Sequence, residues 1–255
     1  RDAPETSLRT HLVFPYRGTY VRHVGDEATV ADASQVLLFN AGDAYQVSHP
    51  YPGGDASLVL HVEAAMLREL AAPALLHDGP VPRFRMPRLR IDPRTQALVA
   101  LVRHALRKGS AEPLEGESLA LVLAGRALGA RSAHVAGASA RRRRLVERTK
   151  LVLAGNLARR WTLAEIADEV GGSPVYLTQS FRAVEGVPLY RYQMRLRLAR
   201  ALDLLPDCSD LAALAHDLGF SSHSHFTAAF LQTYGCTPSA FRRQAMTPSG
   251  ISRRR

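Results

Sequence analysis

The stretch Leu163-Ala-Glu-Ile-Ala-Asp-Glu-Val-Gly171 recurs 48 positions later as Leu211-Ala-Ala-Leu-Ala-His-Asp-Leu-Gly219. The match continues at an offset of 49, pairing Leu177 with Phe226, Phe181 with Phe230 and Gly186 with Gly235. Each copy reads as helix, tight turn, helix. Thr162 and Glu165 have the spacing of a capping box, which starts the first helix of the first copy. Ala167 and Ala215 are small where two helices must cross closely. Gly171 and Gly219 stand where the chain leaves a helix, a place that commonly requires positive φ. Ser173 and Pro174 then start the next helix, and Ser221 or Ser222 can do the same in the second copy.

This is helix-turn-helix grammar. In the first unit, Leu177, Phe181 and Val184 recur at i, i+4, i+7 and are expected to face a core. Val175, Thr178, Gln179 and Arg182 fall on the opposite face, free to enter a major groove. In the second unit Phe226 and Phe230 point inward and leave His223, Ser224, Thr227 and Ala228 outside. Between the units, Pro188–Leu205 reads as one helix closed by Pro206. Its eighteen residues span about 27 Å at about 1.5 Å each. That is a spacer able to hold two recognition helices near one turn of B-DNA apart, about 34 Å. Arg191, Arg195, Arg197 and Arg200 decorate it, some expected as further phosphate contacts and others only as solubilising charge.

Charge supports the same reading. Residues 141–255 carry 18 Arg and Lys against 9 Asp and Glu, whereas residues 1–140 carry 15 against 14. The excess therefore sits beside the repeat, as in a polyanion-binding module joined to a near-neutral part. An Arg-rich genome explains why only two of the 33 basic residues are Lys, but not the asymmetry. The run Arg141–Arg144 suits a solvated helix face and a phosphate contact equally.

The residues Leu163–Gly171, Ser173-Pro174, Phe181-Arg182, Gly186, Pro188, Tyr192 and Arg195–Ala199 together resemble the AraC/XylS family of bacterial transcription regulators. More diagnostic still are Leu211–Phe226, Phe230, Tyr234-Gly235 and Thr237–Arg242. The resemblance covers about residues 145–243 and implies two helix-turn-helix subdomains, both reading the major groove. The sequence departs from the family at Gln179 and Ala228, where relatives often have Arg. Gln179 can still read adenine, but Ala228 offers only an apolar contact. The first unit is therefore expected to carry more of the base readout.

The first third reads as strands: His11–Phe14, Thr19–His23, Gln35–Phe39 and Leu58–Val62, separated by turn clusters. Helical periodicity follows at Glu63–Ala71, Arg94–Lys108 and Gly116–Arg131. The apolar stripes of the last two suit a partner helix or the barrel. The expected class is α+β. A sensor part covers 1–133, with a small cupin-like barrel over about 8–62 and helices over 63–133. A linker follows at 134–140. The DNA-binding part covers 141–255, with its units at about 163–184 and 211–232 and the connecting helix at 188–205. The resemblance implies a small-molecule effector, with Tyr45 and His49 as pocket residues.

No ligand-spaced His and Glu set appears, and His23, His49 and His61 are scattered, so no metal, cofactor or catalytic residue is assigned. That weighs against the alternative, a cupin-type metal-dependent enzyme with a basic tail. Cys208 and Cys236 are too few for a disulfide framework and are expected to be inert. No secretion signal or membrane span is read, which fits the cytoplasm. The partners expected are double-stranded DNA across two adjacent major grooves and a small-molecule effector, with a second copy and RNA polymerase as further candidates.

Overall fold

The computed structural model describes residues 3–107, 113–129 and 139–246. Eight strands open the chain: β1 Glu5–Thr6, β2 His11–Arg17, β3 Tyr20–Val24, β4 Glu27–Ala31, β5 Gln35–Phe39, β6 Ala44–Ser48, β7 Ala56–His61 and, after two short helical segments, β8 Arg88–Arg90. They form two antiparallel sheets, ordered β1-β6-β3-β4 and β7-β2-β5-β8. The expected barrel is thus an open pair of facing sheets.

Strands β2 and β5 are apolar without alternation because both of their faces are covered. Val13, Leu37 and Phe39 face the first sheet, meeting Tyr20, Ala31, Tyr45 and Val47. Leu12, Phe14, Val36 and Leu38 face the other way, onto helices α1 Ala64–Leu70 and α3 Pro113–Leu128. Burying each large apolar side chain contributes about 2 kcal/mol.

Helix α2, Pro93–Arg107, is shared by two cores. Val99 and Val102 join the sheet core. Ala100, with Ala97 and Leu101, packs on Leu198, Ala201 and Leu202 of the helical part. Its apolar stripe is therefore used within the chain. The ends expected at Lys108 and Arg131, and most of the expected linker, lie outside the described residues; Ser139 and Ala140 already begin the next helix.

The helical part consists of α4 Ala140–Gly155, α5 Leu163–Val170, α6 Pro174–Glu185, α7 Leu189–Leu204, α8 Leu211–Asp217, α9 His223–Tyr234 and α10 Pro238–Met246. One core joins α4, α5, α6 and the start of α7. A second joins the rest of α7 with α8, α9 and α10.

Candidate nucleic-acid interface

In the first unit the capping box forms in full. The Thr162 hydroxyl accepts from Glu165 N–H at 3.2 Å, and the Glu165 carboxylate accepts from Thr162 N–H at 2.7 Å. The Thr162 N–H and hydroxyl, each donating to the carboxylate at 2.7 Å, with the Arg159 guanidinium at 2.8 Å, hold the Glu165 carboxyl at about 2. Helix α5 ends on Gly171 at φ +68°. Ser173 caps α6 by accepting from Tyr176 N–H, with Pro174 in the first turn.

Leu177, Phe181 and Val184 of α6 are buried. Val175, Thr178, Gln179 and Arg182 are exposed on the other side, as their spacing predicts. The Thr178 hydroxyl donates back to Pro174 C=O at 2.8 Å, so it meets a partner as a methyl and an acceptor. Arg141, in the exposed Arg141–Arg144 run, lies 5.8 Å from the Tyr176 ring centroid.

The second unit repeats the plan with different caps. Asp210 starts α8 by accepting from Ala212 and Ala213 N–H. Of the two serines considered, Ser222 caps α9, while Ser221 pairs with the His225 ring at 3.0 Å. Phe226 and Phe230 are fully buried. His223, Ser224 and Ala228 are exposed. Thr227 is half-buried, with its hydroxyl 3.4 Å from the His223 ring.

The connecting helix departs from expectation. Of its four arginines only Arg191 is exposed. Arg197 is buried and donates to the carbonyls of Leu157, Ala158 and Arg159 and to that of Gly219. Arg200 pairs with Asp203. Arg195 is half-buried, and desolvation followed by repulsion from Arg191 and Arg90 lowers its pKa. Arg197 and Arg200 are thus structural donors, because inward-facing carbonyls and a carboxylate claim them.

Buried charge ties the sheets to this module. The Arg88 guanidinium meets Glu147 of α4 at 2.7 Å, and the Glu147 carboxylate also accepts from Val30 N–H at 2.7 Å. Lys150 meets Glu185, the last residue of α6, at 2.6 Å. Burial pushes the Glu185 carboxyl up, but the Lys150 and Arg88 charges outweigh it and hold the group at about 2. The Tyr192 hydroxyl donates to Asp32 at 2.5 Å. Burial, then the nearby carboxylates, raise its pKa well above 10. None of these partners shares a local pattern with the other.

Tyr45 and His49 have local partners. The Tyr45 hydroxyl donates to Glu5 at 2.6 Å, and His49 pairs with Asp55 at 2.7 Å. His23 bonds Ser48, and His61 lies against His11. Both cysteines are free and half-buried, and burial pushes the Cys236 thiol up. Among the described residues no helix is long and apolar enough to cross a membrane.

Residues 166–244 match a family model described as a helix-turn-helix domain. The regulatory protein PocR of Salmonella typhimurium is 36% identical over 83 residues, 32% of this chain and 27% of that protein. A putative AraC-like transcription regulator of Streptomyces lividans is 33% identical over 92 residues, 36% of this chain and 30% of that protein. The chain thus spans less than a third of the length of either relative. A solved transcriptional regulator with an AraC-type DNA-binding domain, from Chromobacterium violaceum, aligns with 44% of this chain and 100% of its own at 27% identity and a TM-score of 0.40. With its two capped units, the stretch 166–244 is a helix-turn-helix domain, and it is similar to those of AraC-like transcription regulators.

Proposed function

We propose that this chain is a sequence-specific DNA-binding transcription regulator whose strand part responds to a small molecule. The observation that carries the reading is the pair of capped units, each presenting an exposed polar face while one buried arginine bridges them. Helix α7, sixteen residues long, spans about 24 Å. With the width of the flanking helices added, that separation suits successive major grooves about 34 Å apart.

In this reading Val175, Thr178, Gln179 and Arg182 enter one groove, and His223, Ser224 and Thr227 enter the next. Arg141–Arg144 and Arg191 supply the exposed positive charge for the backbone between. The protein acts by binding, with no catalytic residue, and works in the cytoplasm. A second copy and RNA polymerase remain its further expected partners. The sensor part extends over 1–133 and the DNA-binding part over 141–255.

The test is selection of sheared genomic DNA on the purified full chain at near-physiological salt, followed by sequencing. Enrichment of a few intergenic fragments sharing two half-sites about one helical turn apart supports the reading. Uniform recovery, with the full chain and with residues 141–255 alone, overturns it.

A further inference from the structure

Three guanidiniums gather where the end of α6 meets the start of α7. Arg195 of α7 is half-buried, and Arg191 lies one turn before it. Arg90 comes from the strand part. In β8 it stands two residues after Arg88, so both side chains leave the same face of the strand. Arg88 reaches Glu147 of α4. The Arg90 guanidinium lies against Gly186, the glycine that closes α6, and leaves no room there for a Cβ. Desolvation lowers the Arg195 pKa, and repulsion from Arg191 and Arg90 lowers it further.

The neighbouring acids do not balance this charge. Among the described residues no hydrogen bond or ion pair satisfies any of the three arginines. Glu185 is held by Lys150, and Asp92 by Thr95 and Arg126. Guanidiniums drawn partly out of water and left unpaired cost free energy that an arriving anion recovers.

Arg191 and Arg195 line an open cavity of about 550 Å³ between α7 and α9, with His225 and Gln232 on its wall. Ala228 lines it too, and Ala228 belongs to the exposed face of α9. The cavity thus opens beside the surface that meets DNA, on the side towards the first unit. The backbone of a duplex read in two successive major grooves crosses that gap.

We infer that this cavity seats a phosphodiester of the DNA backbone between the two half-sites, held by Arg195 of α7 and by Arg90 of the strand part. A guanidinium edge matches two phosphate oxygens with two parallel bonds. The inference rests on the regulator reading and adds a contact to the same DNA. It makes the strand part a DNA-binding element in its own right. Arg90 is fixed to β5 through its ladder partner Gln35, so a displacement of β8 from α6 withdraws one charge from the DNA.

The experiment measures binding of the full chain, over a range of salt, to the duplex most enriched by selection and to an unrelated duplex. Wild type is compared with Arg90→Gln, Arg195→Gln and Arg90→Lys. Each Gln variant is expected to weaken both duplexes alike, about fivefold at about 0.15 M salt. Each should also take about 0.9, one phosphate's worth, off the slope of log affinity against log salt. Arg90→Lys keeps the charge and the slope. A second arm replaces single phosphates between the half-sites by uncharged methylphosphonates. One position is expected to weaken wild type about fivefold and the Gln variants hardly at all. If the variants fail to fold, this scan decides alone: wild type indifferent to every position overturns the inference. Unchanged slopes in both Gln variants overturn it as well. So does pyrophosphate binding that Arg90→Gln abolishes while its DNA slope stands, because the cavity then takes a free phosphate. Selective DNA binding with unchanged slopes sinks this inference and leaves the regulator reading standing. Equal affinity for the two duplexes, with the slope losses intact, does the reverse.

Discussion

The Arg197 guanidinium donates to the Gly219 carbonyl at 3.0 Å while its other N–H groups hold the carbonyls of Leu157, Ala158 and Arg159. One side chain therefore joins the segment before the first helix-turn-helix unit to the turn of the second. Truncating it in Arg197→Ala strands several part-buried carbonyls, at a cost of about 3 kcal/mol or more, given about 1–3 kcal/mol for each group left unpaired. Arg197→Lys offers one ammonium for the same carbonyls and is expected to fall between. Urea unfolding of the full chain measures both. An Arg197→Ala variant within about 0.5 kcal/mol of wild type would show that the carbonyls find water instead.

Gly219 and Gly171 close equivalent helices at φ +80° and +68°, yet their surroundings differ. A Cβ on Gly219 would collide with the Ala158 carbonyl oxygen, whereas one on Gly171 meets nothing within 4 Å. Gly171→Ala should cost only the left-handed backbone penalty, about 1–2 kcal/mol. Gly219→Ala must also push the two units apart. It is expected to lose clearly more stability and to weaken binding to a double half-site more than to a single one. Equal melting shifts for the two variants would contradict that.

Glu185 sets an acid limit on the contact between the sheets and α6. Its carboxyl is held at about 2 in the folded chain against an ordinary value of 4.5. A depressed folded value stabilises the fold above the ordinary value, and that stability is lost as pH falls from about 4.5 towards 2. The full difference is on the order of 3 kcal/mol. Glu185→Gln should start less stable at pH 7, because Lys150 loses its 2.6 Å partner. It should then lose less than wild type across that window. Parallel stability-against-pH curves would refute the assignment.

Much of this molecule is legible in its sequence, and the failures share a cause. The α5, α6, α8 and α9 helices announce themselves by period and by the capping residues Thr162, Ser173 and Ser222, all local signals. Strands β2, β3, β5 and β7 show β-branched and aromatic runs. Strand β4 carries Glu27 and two alanines, and forms because all five of its residues pair with β3. Strand β8 is three residues with two arginines; it belongs to the sheet by pairing with β5, and the buried Arg88 finds its counter-charge on Glu147, 59 positions later. Likewise Arg197 looks no different in sequence from Arg191, and Tyr192 gives no hint of Asp32, 160 positions away. Local pattern cannot report bonds that only the assembled cores create.

The two exposed faces are chemically unequal, which bears on how DNA is read. The α6 face offers Gln179 and Arg182, side chains able to bond a base edge through two atoms at once. The α9 face offers His223 and Ser224, then Ala228, while the Thr227 hydroxyl is already near the His223 ring. A good two-atom contact is worth about 1–3 kcal/mol of discrimination. Gln179→Ala or Arg182→Ala should therefore cost about ten- to hundredfold in affinity for a selected site while leaving non-specific binding nearly unchanged. His223→Ala and Ser224→Ala should each cost several-fold less, because single or apolar contacts carry less sequence information. Competition binding of the four variants on one selected duplex, at fixed salt, gives the comparison. Equal losses from the two helices would mean that Ala228 and its neighbours read DNA as strongly as the glutamine and arginine do. The asymmetry inferred from the side chains would then be wrong.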